Sequence, residues 1–152
     1  MENKRLNVLL AFVLLVALQS CGEEIARLPI NQLASEADPA AQEVTLDLQE
    51  GDEVFFWSDM ELEYEGDLTL RFHVHINKNG GNYKSLEINP FEKSLTVGEV
   101  KTSIGDQTSW SFTGKNSHIK IEEDASYTFR SYLIASESDN LKLHKAELVL
   151  KK

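Results

Sequence analysis

The clearest pattern in the chain is alternation. Between positions 68 and 76, Leu68, Leu70, Phe72, Val74 and Ile76 fall on one side of an extended backbone, and Thr69, Arg71, His73 and His75 fall on the other. Apolar residues at every second position mark a strand with one buried and one wet face, as antiparallel sheets have. Asn77-Lys78-Asn79-Gly80-Gly81-Asn82 follows, rich in residues that tolerate positive φ, and 83–88 returns as a partner strand. Further strands are predicted at 44–48, 53–57, 62–64, 94–97, 109–113, 119–121, 126–134 and 141–150. Turn signals separate most of them, among them Glu50-Gly51-Asp52, Glu65-Gly66-Asp67, Asn89-Pro90, Gly105-Asp106, Gly114-Lys115-Asn116 and Ser138-Asp139-Asn140. The closing strand changes phase between Leu143 and Ala146, which predicts a bulge near His144-Lys145. No long stretch has helical periodicity. Eight to ten short strands at this spacing predict an all-β, antiparallel β-sandwich over residues 44–152, of jelly-roll or another Greek-key order.

The first 43 residues follow a different pattern. Lys4 and Arg5 precede an apolar run from Leu6 to Leu18, broken only by Asn7. That run is short for a membrane span and suits the core of an export signal. It ends in Leu18-Gln19-Ser20-Cys21, followed by Gly22, and this resembles the lipobox of bacterial lipoproteins. The resemblance implies cleavage before Cys21, diacylglycerol on its thiol and acylation of the new N-terminus. Glu23 and Glu24 then resemble the surface-export signal of lipoproteins from the Bacteroidota, which implies the outer membrane as the location. Residues 22–43 contain no Trp, Phe or Tyr, and 31–43 read NQLASEADPAAQE. Such a stretch is expected to be a flexible tether, reaching about 25 Å on average. The alternative is that Leu28, Ile30 and Leu33 pack as a short edge strand. The expected division is therefore 1–20 signal, 21–43 lipidated cysteine and tether, and 44–152 sandwich.

Charge narrows the partners. The chain has 15 basic and 25 acidic residues, a net charge of −10. Removing residues 1–20 takes away Lys4, Arg5 and Glu2, leaving 13 basic and 24 acidic residues, or −11. That sign repels phosphate backbones and anionic headgroups, so nucleic acid is not an expected partner. Membrane attachment then falls to acyl chains. Cys21 is the only cysteine, which excludes an intramolecular disulfide.

Four groups of residues are candidates for chemistry. His73 and His75 put two imidazoles about 7 Å apart on one strand face, a usable zinc pair, against a reading as two solvated histidines. Asp59, Glu61, Glu63, Glu65 and Asp67 place carboxylates on one face, where calcium would relieve their repulsion; the alternative is a solvated acidic edge. Alternation puts Val54 and Phe56 on one side of a strand, and Phe55 and Trp57 on the other, so one of these aromatics is either exposed or covered. An exposed Trp57 or Trp110 would be a stacking platform for a sugar; the alternative is that both close the ends of the core. The acidic turn Glu122-Glu123-Asp124 entering an alternating strand, with the long strand 141–150 behind it, resembles the ending of jelly-roll domains related to carbohydrate-binding modules. That resemblance, of pattern alone over about 50–150, implies glycan binding.

Catalysis has no such signal. The chain has no Gly-x-Ser-x-Gly and no phosphate-cradling loop, and lipidation would consume its one thiol. The expectation is a non-enzymatic lipoprotein that needs no cofactor beyond its lipid and binds a glycan or an envelope protein. The alternatives are an accessory subunit of an outer-membrane or secretion assembly, and a metal-binding lipoprotein using His73 and His75.

Overall fold

A computed structural model describes residues 22–136 and 140–152. Cys21 and the signal sequence lie outside the described residues. Among the described residues there are nine strands: β1 (Glu24–Pro29), β2 (Gln42–Leu48), β3 (Glu53–Glu65), β4 (Leu70–Lys78), β5 (Gly81–Ile88), β6 (Leu95–Ile104), β7 (Gln107–Lys120), β8 (Ala125–Ala135) and β9 (Lys142–Lys151). They form a five-stranded sheet, β1-β9-β3-β7-β6, and a four-stranded sheet, β2-β8-β4-β5, with every pair of neighbours antiparallel. With the edge strand β6 set aside, the remaining eight strands pass back and forth between the sheets, save for the β4–β5 hairpin within one of them, in the double Greek-key order of a jelly roll. No helix among the described residues is long and apolar enough to cross a membrane.

The alternation read from the sequence builds the core. Leu70, Phe72, Val74 and Ile76 of β4 are fully buried, as are Tyr127, Phe129 and Leu133 of β8. They meet Val54, Phe56, Met60 and Leu62 of β3 and Leu148 and Leu150 of β9 in one apolar cluster. The expected bulge in the last strand falls at His144, where the β3–β9 register passes from Lys145 to Leu143.

Three expectations are corrected. The first concerns the tether, since the stretch 24–30 is part of the sandwich. β1 pairs with β9 along its length, and Leu28 and Ile30 are almost completely buried. Burying each aliphatic side chain contributes about 1.5–3 kcal/mol, and the backbone groups facing β9 are satisfied by the ladder. Glu23 and Lys152 exchange backbone hydrogen bonds of 2.9 and 2.8 Å, so the sheet begins immediately after Gly22. The edge-strand alternative holds for Leu28; Ile30 follows directly after β1, buried and bonded through its N–H to Ala146, and Leu33 lies further on and makes a single parallel bridge to Leu133 of β8. The second correction concerns 53–57 and 62–64, which are one continuous strand of 13 residues, β3. The third concerns Gly114-Lys115-Asn116, which is no turn but the middle of β7, with Asn116 bulged out of register opposite Phe56 and Trp57. The Asn116 amide donates to the carbonyls of Asn89, Pro90 and Glu92, and its oxygen accepts from Ser58 Oγ at 2.6 Å. The bulge thus pins the β5–β6 crossover to the sandwich.

Candidate functional site

The residues singled out by sequence do not converge. His73 and His75 project from the outer face of the four-stranded sheet, opposite the buried face of β4. Glu61 and Glu63 lie on β3 of the other sheet, alternating with its buried residues. Among the described residues, no three of His, Cys, Asp and Glu are grouped to hold a metal. The two imidazoles turn to Tyr132 of β8 instead, with ring centroids at 5.2 and 5.8 Å and stacked planes. His75 Nδ1 lies 3.0 Å from Ser85 Oγ, and His73 Nδ1 lies 3.6 Å from Glu87. Two carboxylates of β3 have basic neighbours. Glu63 meets His144 at 3.2 Å and Lys142 at 3.6 Å, and Asp59 meets Arg27 at 3.1 Å.

Neither tryptophan is a free platform. Trp57 points away from the main core, as alternation requires, yet is only 4% exposed. It pairs with Val149, which is itself buried, and Lys151 Nζ sits 4.4 Å from its ring centroid. Phe55, on the same side, is half-buried against His118 and under Lys115. Trp110 is half-buried beside β6. Phe91 stacks on it at 4.9 Å, Lys101 Nζ approaches the ring centroid to 3.9 Å, and its Nε1 donates to Glu99 at 2.7 Å. Lys93, which also binds Glu99, and the Trp110 indole hold the Glu99 carboxyl below its ordinary pKa.

A concave feature lies elsewhere. A cavity of about 520 Å³ opens between the β1–β2 crossover and β8, lined by residues 29–32, 38–42 and Arg130. Its wall is braced from behind. Ile30 N–H donates to the Ala146 carbonyl, Ala34 N–H to Leu133, and Ala146 N–H to Asn31 Oδ1, each at 2.8 Å. Ser35 and Asp38 close a turn on each other, and Asp38 Oδ1 accepts from Ala40 N–H. Ala40 is held at φ 47°, a conformation costly for a residue with a Cβ and characteristic of shaped sites.

Arg130 joins this cleft to the outer face of the four-stranded sheet. In register it stands across from Glu43 on β2 and His75 on β4. Among the described residues, no carboxylate lies within 4.0 Å of its guanidinium. Tyr132, His73 and His75 continue the same face away from the cleft. The result is a polar recess opening onto a shelf of planar side chains.

Sequence reading assigned 31–43 to a linker and so missed the cleft. The Ser35–Asp38 spacing and Pro39 signal a turn there, but nothing local shows that the turn faces Arg130, some ninety positions later. No protein-family model matches the chain. No curated protein matches it either.

Proposed function

We propose that this chain is a lipid-anchored envelope protein whose jelly roll binds a saccharide without catalysing a reaction. The observation that carries this reading is the crossover cleft with its shelf. Asn31, Gln32, Asp38, Gln42 and Arg130 supply hydrogen-bonding groups around a rigid recess, and Pro29, Ile30 and Pro39 supply apolar contact. Binding sites for small polar ligands have this composition, a few fixed polar groups in a pre-formed concavity. Beside it His73, Tyr132 and His75 stack on one another and offer a sugar their ring edges and polar tips. The anchor part rests on Leu18-Gln19-Ser20-Cys21 and on a net charge that leaves membrane attachment to acyl chains. An outer-membrane location follows from the same motif with Glu23 and Glu24. A glycan array probed with the Cys21→Ser chain tests the binding. Selective binding, abolished by Gln42→Trp, which fills the cleft, is expected; an array with no positive glycan removes the reading. Radiolabelled palmitate should enter the wild-type chain and not Cys21→Ser.

A second reading, an accessory subunit of an envelope assembly, is favoured by β6. All ten of its residues are exposed, and one edge of the strand is unpaired. It carries Leu95, Val97, Val100 and Ile104, four of the five large apolar side chains exposed among the described residues. A long apolar edge invites strand addition. Antiparallel pairing of two β6 strands would put the two Gly22 ends at opposite poles, so copies anchored in one leaflet do not pair this way. The occupant is then a strand of a different protein. A photocrosslinking residue at Val100 should give one discrete adduct in cells where the same residue at Lys84 gives none; equal labelling at both positions excludes the strand-addition site.

A further inference from the structure

We infer that the ligand of the crossover cleft carries a carboxylate, and that Arg130 is the residue that reads it. This rests on the saccharide-binding reading and sharpens it to an acidic sugar unit, of the uronic-acid kind.

The argument starts from which hydrogen-bonding capacity in the cleft remains unused. Asn31 has its oxygen committed to Ala146 N–H, so its NH₂ group is what it has left to offer. One oxygen of Asp38 is committed to Ala40 N–H, and the Asp38 backbone is tied to Ser35. Gln32 and Gln42 each contribute a further amide, and Arg130 contributes five N–H donors in a planar fork. The free groups are therefore weighted toward donors. A ligand that satisfies them is rich in acceptors.

The second step is charge. Among the described residues, the Arg130 guanidinium has neither a carboxylate nor a hydrogen-bond partner, whereas that of Arg71, also without a carboxylate, donates to the Leu70 carbonyl. The contrast with Arg27 is direct. Arg27 is bound by Glu24, Asp59 and Glu147, and these hold its pKa well above the ordinary range. Glu43 stands across from Arg130 on the adjacent strand, yet does not come within 4.0 Å of its guanidinium. Arginine pairs with carboxylate through two parallel hydrogen bonds, and that geometry distinguishes a planar carboxylate from a neutral hydroxymethyl group. The chain's overall negative charge opposes the approach of any anion, and physiological salt screens that opposition beyond about 8 Å. A short-range guanidinium contact is not screened to the same degree. The cleft thus offers an anion one favourable charged contact, at Arg130, while Asp38 in the same lining and the acidic surface around it disfavour anions that do not reach that residue.

The test compares matched sugars. Titration calorimetry of the Cys21→Ser chain is run with a glucuronate-containing disaccharide and with its glucose counterpart, and acetate alone serves as the control for bare carboxylate. The acidic disaccharide is expected to bind at least about tenfold more tightly than the neutral one. Arg130→Gln should collapse that ratio toward one while thermal unfolding stays unchanged, and Arg130→Lys should restore only part of it, because an ammonium lacks the fork. Acetate alone should bind weakly or not at all, since it cannot use the amides. Equal affinity for the two disaccharides, or a preference that survives Arg130→Gln, overturns the inference and leaves the saccharide reading standing. Absence of heat with every sugar overturns both.

Discussion

The two edges of the five-stranded sheet are built on opposite plans. β1 is six residues long and ends in Pro29, and Arg27 draws Glu24, Asp59 and Glu147 together across three strands. Its apolar side chains Leu28 and Ile25 are turned inward, Leu28 almost fully buried and Ile25 packed against the core. β6 is ten residues long, with every residue exposed and an apolar stripe on the face where β1 carries Arg27. A short, charged, proline-terminated strand is how proteins close an edge, and a long apolar one leaves it open. The sandwich explains part of the difference. The facing sheet has four strands, and β6 extends past its cover. The one concession at β6 is the bulge at Gly98, whose φ of 69° suits a residue without Cβ and which breaks the strand's straight run.

If this contrast is right, substitutions at the two edges should differ in kind. The largest effect is expected at the closed edge. Leu28→Ala leaves a cavity under β1 and should cost about 2–4 kcal/mol in urea unfolding; a cost below about 1 kcal/mol would mean that β1 is not part of the cooperative core. Next is Gly114→Ala on β7, beside the open edge. An added Cβ would lie 2.3 Å from Lys93 Cδ and 3.2 Å from its Cβ, where Lys93 crosses Phe112 and Trp110. Displacing that side chain should cost about 1–3 kcal/mol and shift Trp110 fluorescence, and an unshifted spectrum would show that Lys93 does not rest there.

Smaller still is Arg27→Ala, about 1 kcal/mol at low salt for a partly exposed network. The pH dependence has a definite sign. Arg27 holds the Glu24 carboxyl below its ordinary value near 4.5. A depressed folded-state pKa adds stability that is complete above the unfolded-state value and is lost as pH falls through the folded-state value. The difference in Tm between wild type and Arg27→Ala should therefore be largest above about pH 5 and shrink on acidification, and a gap that widens in acid would contradict the network. The smallest effect is expected at Val100→Asp on β6, within about 0.5 kcal/mol. A large loss there would mean that β6 is already covered.

The contrast also marks where sequence reading works. β4 was legible because one face is core and the other is solvent, so period two is written directly into Leu70, Phe72, Val74 and Ile76. The bulge at His144 was legible for the same reason, since a phase slip in an otherwise regular strand has few other causes. The full extent of β6 was not. Solvent touches both of its faces, so burial imposes no alternation, and only 94–97 was picked out of it. β1 was hidden by its brevity and by an acidic, alanine-rich neighbourhood. β7 was split because Gly114-Lys115-Asn116 has the composition of a turn, whereas a side chain clamped onto the distant residues 89–92 keeps it extended. The cleft is the extreme case. Its walls come from 29–42 and its charge from 130, and only the crossing of the two sheets brings them together.

The pairing of Glu23 with Lys152 sets a leash length. One residue, Gly22, separates the acyl-bearing position proposed at Cys21 from the first backbone group fixed in the sheet, a span of about 7 Å at full extension. A 22-residue coil would let the domain sweep a hemisphere of roughly 25 Å radius. On the short leash it has almost no search volume. If Cys21 is acylated as proposed, the recess beyond the far end of β1 lies roughly 20 Å along the six-residue strand from the anchor. So held, it would meet polymers that come to the membrane surface. Lengthening the junction with glycine and serine would trade that fixed distance for reach.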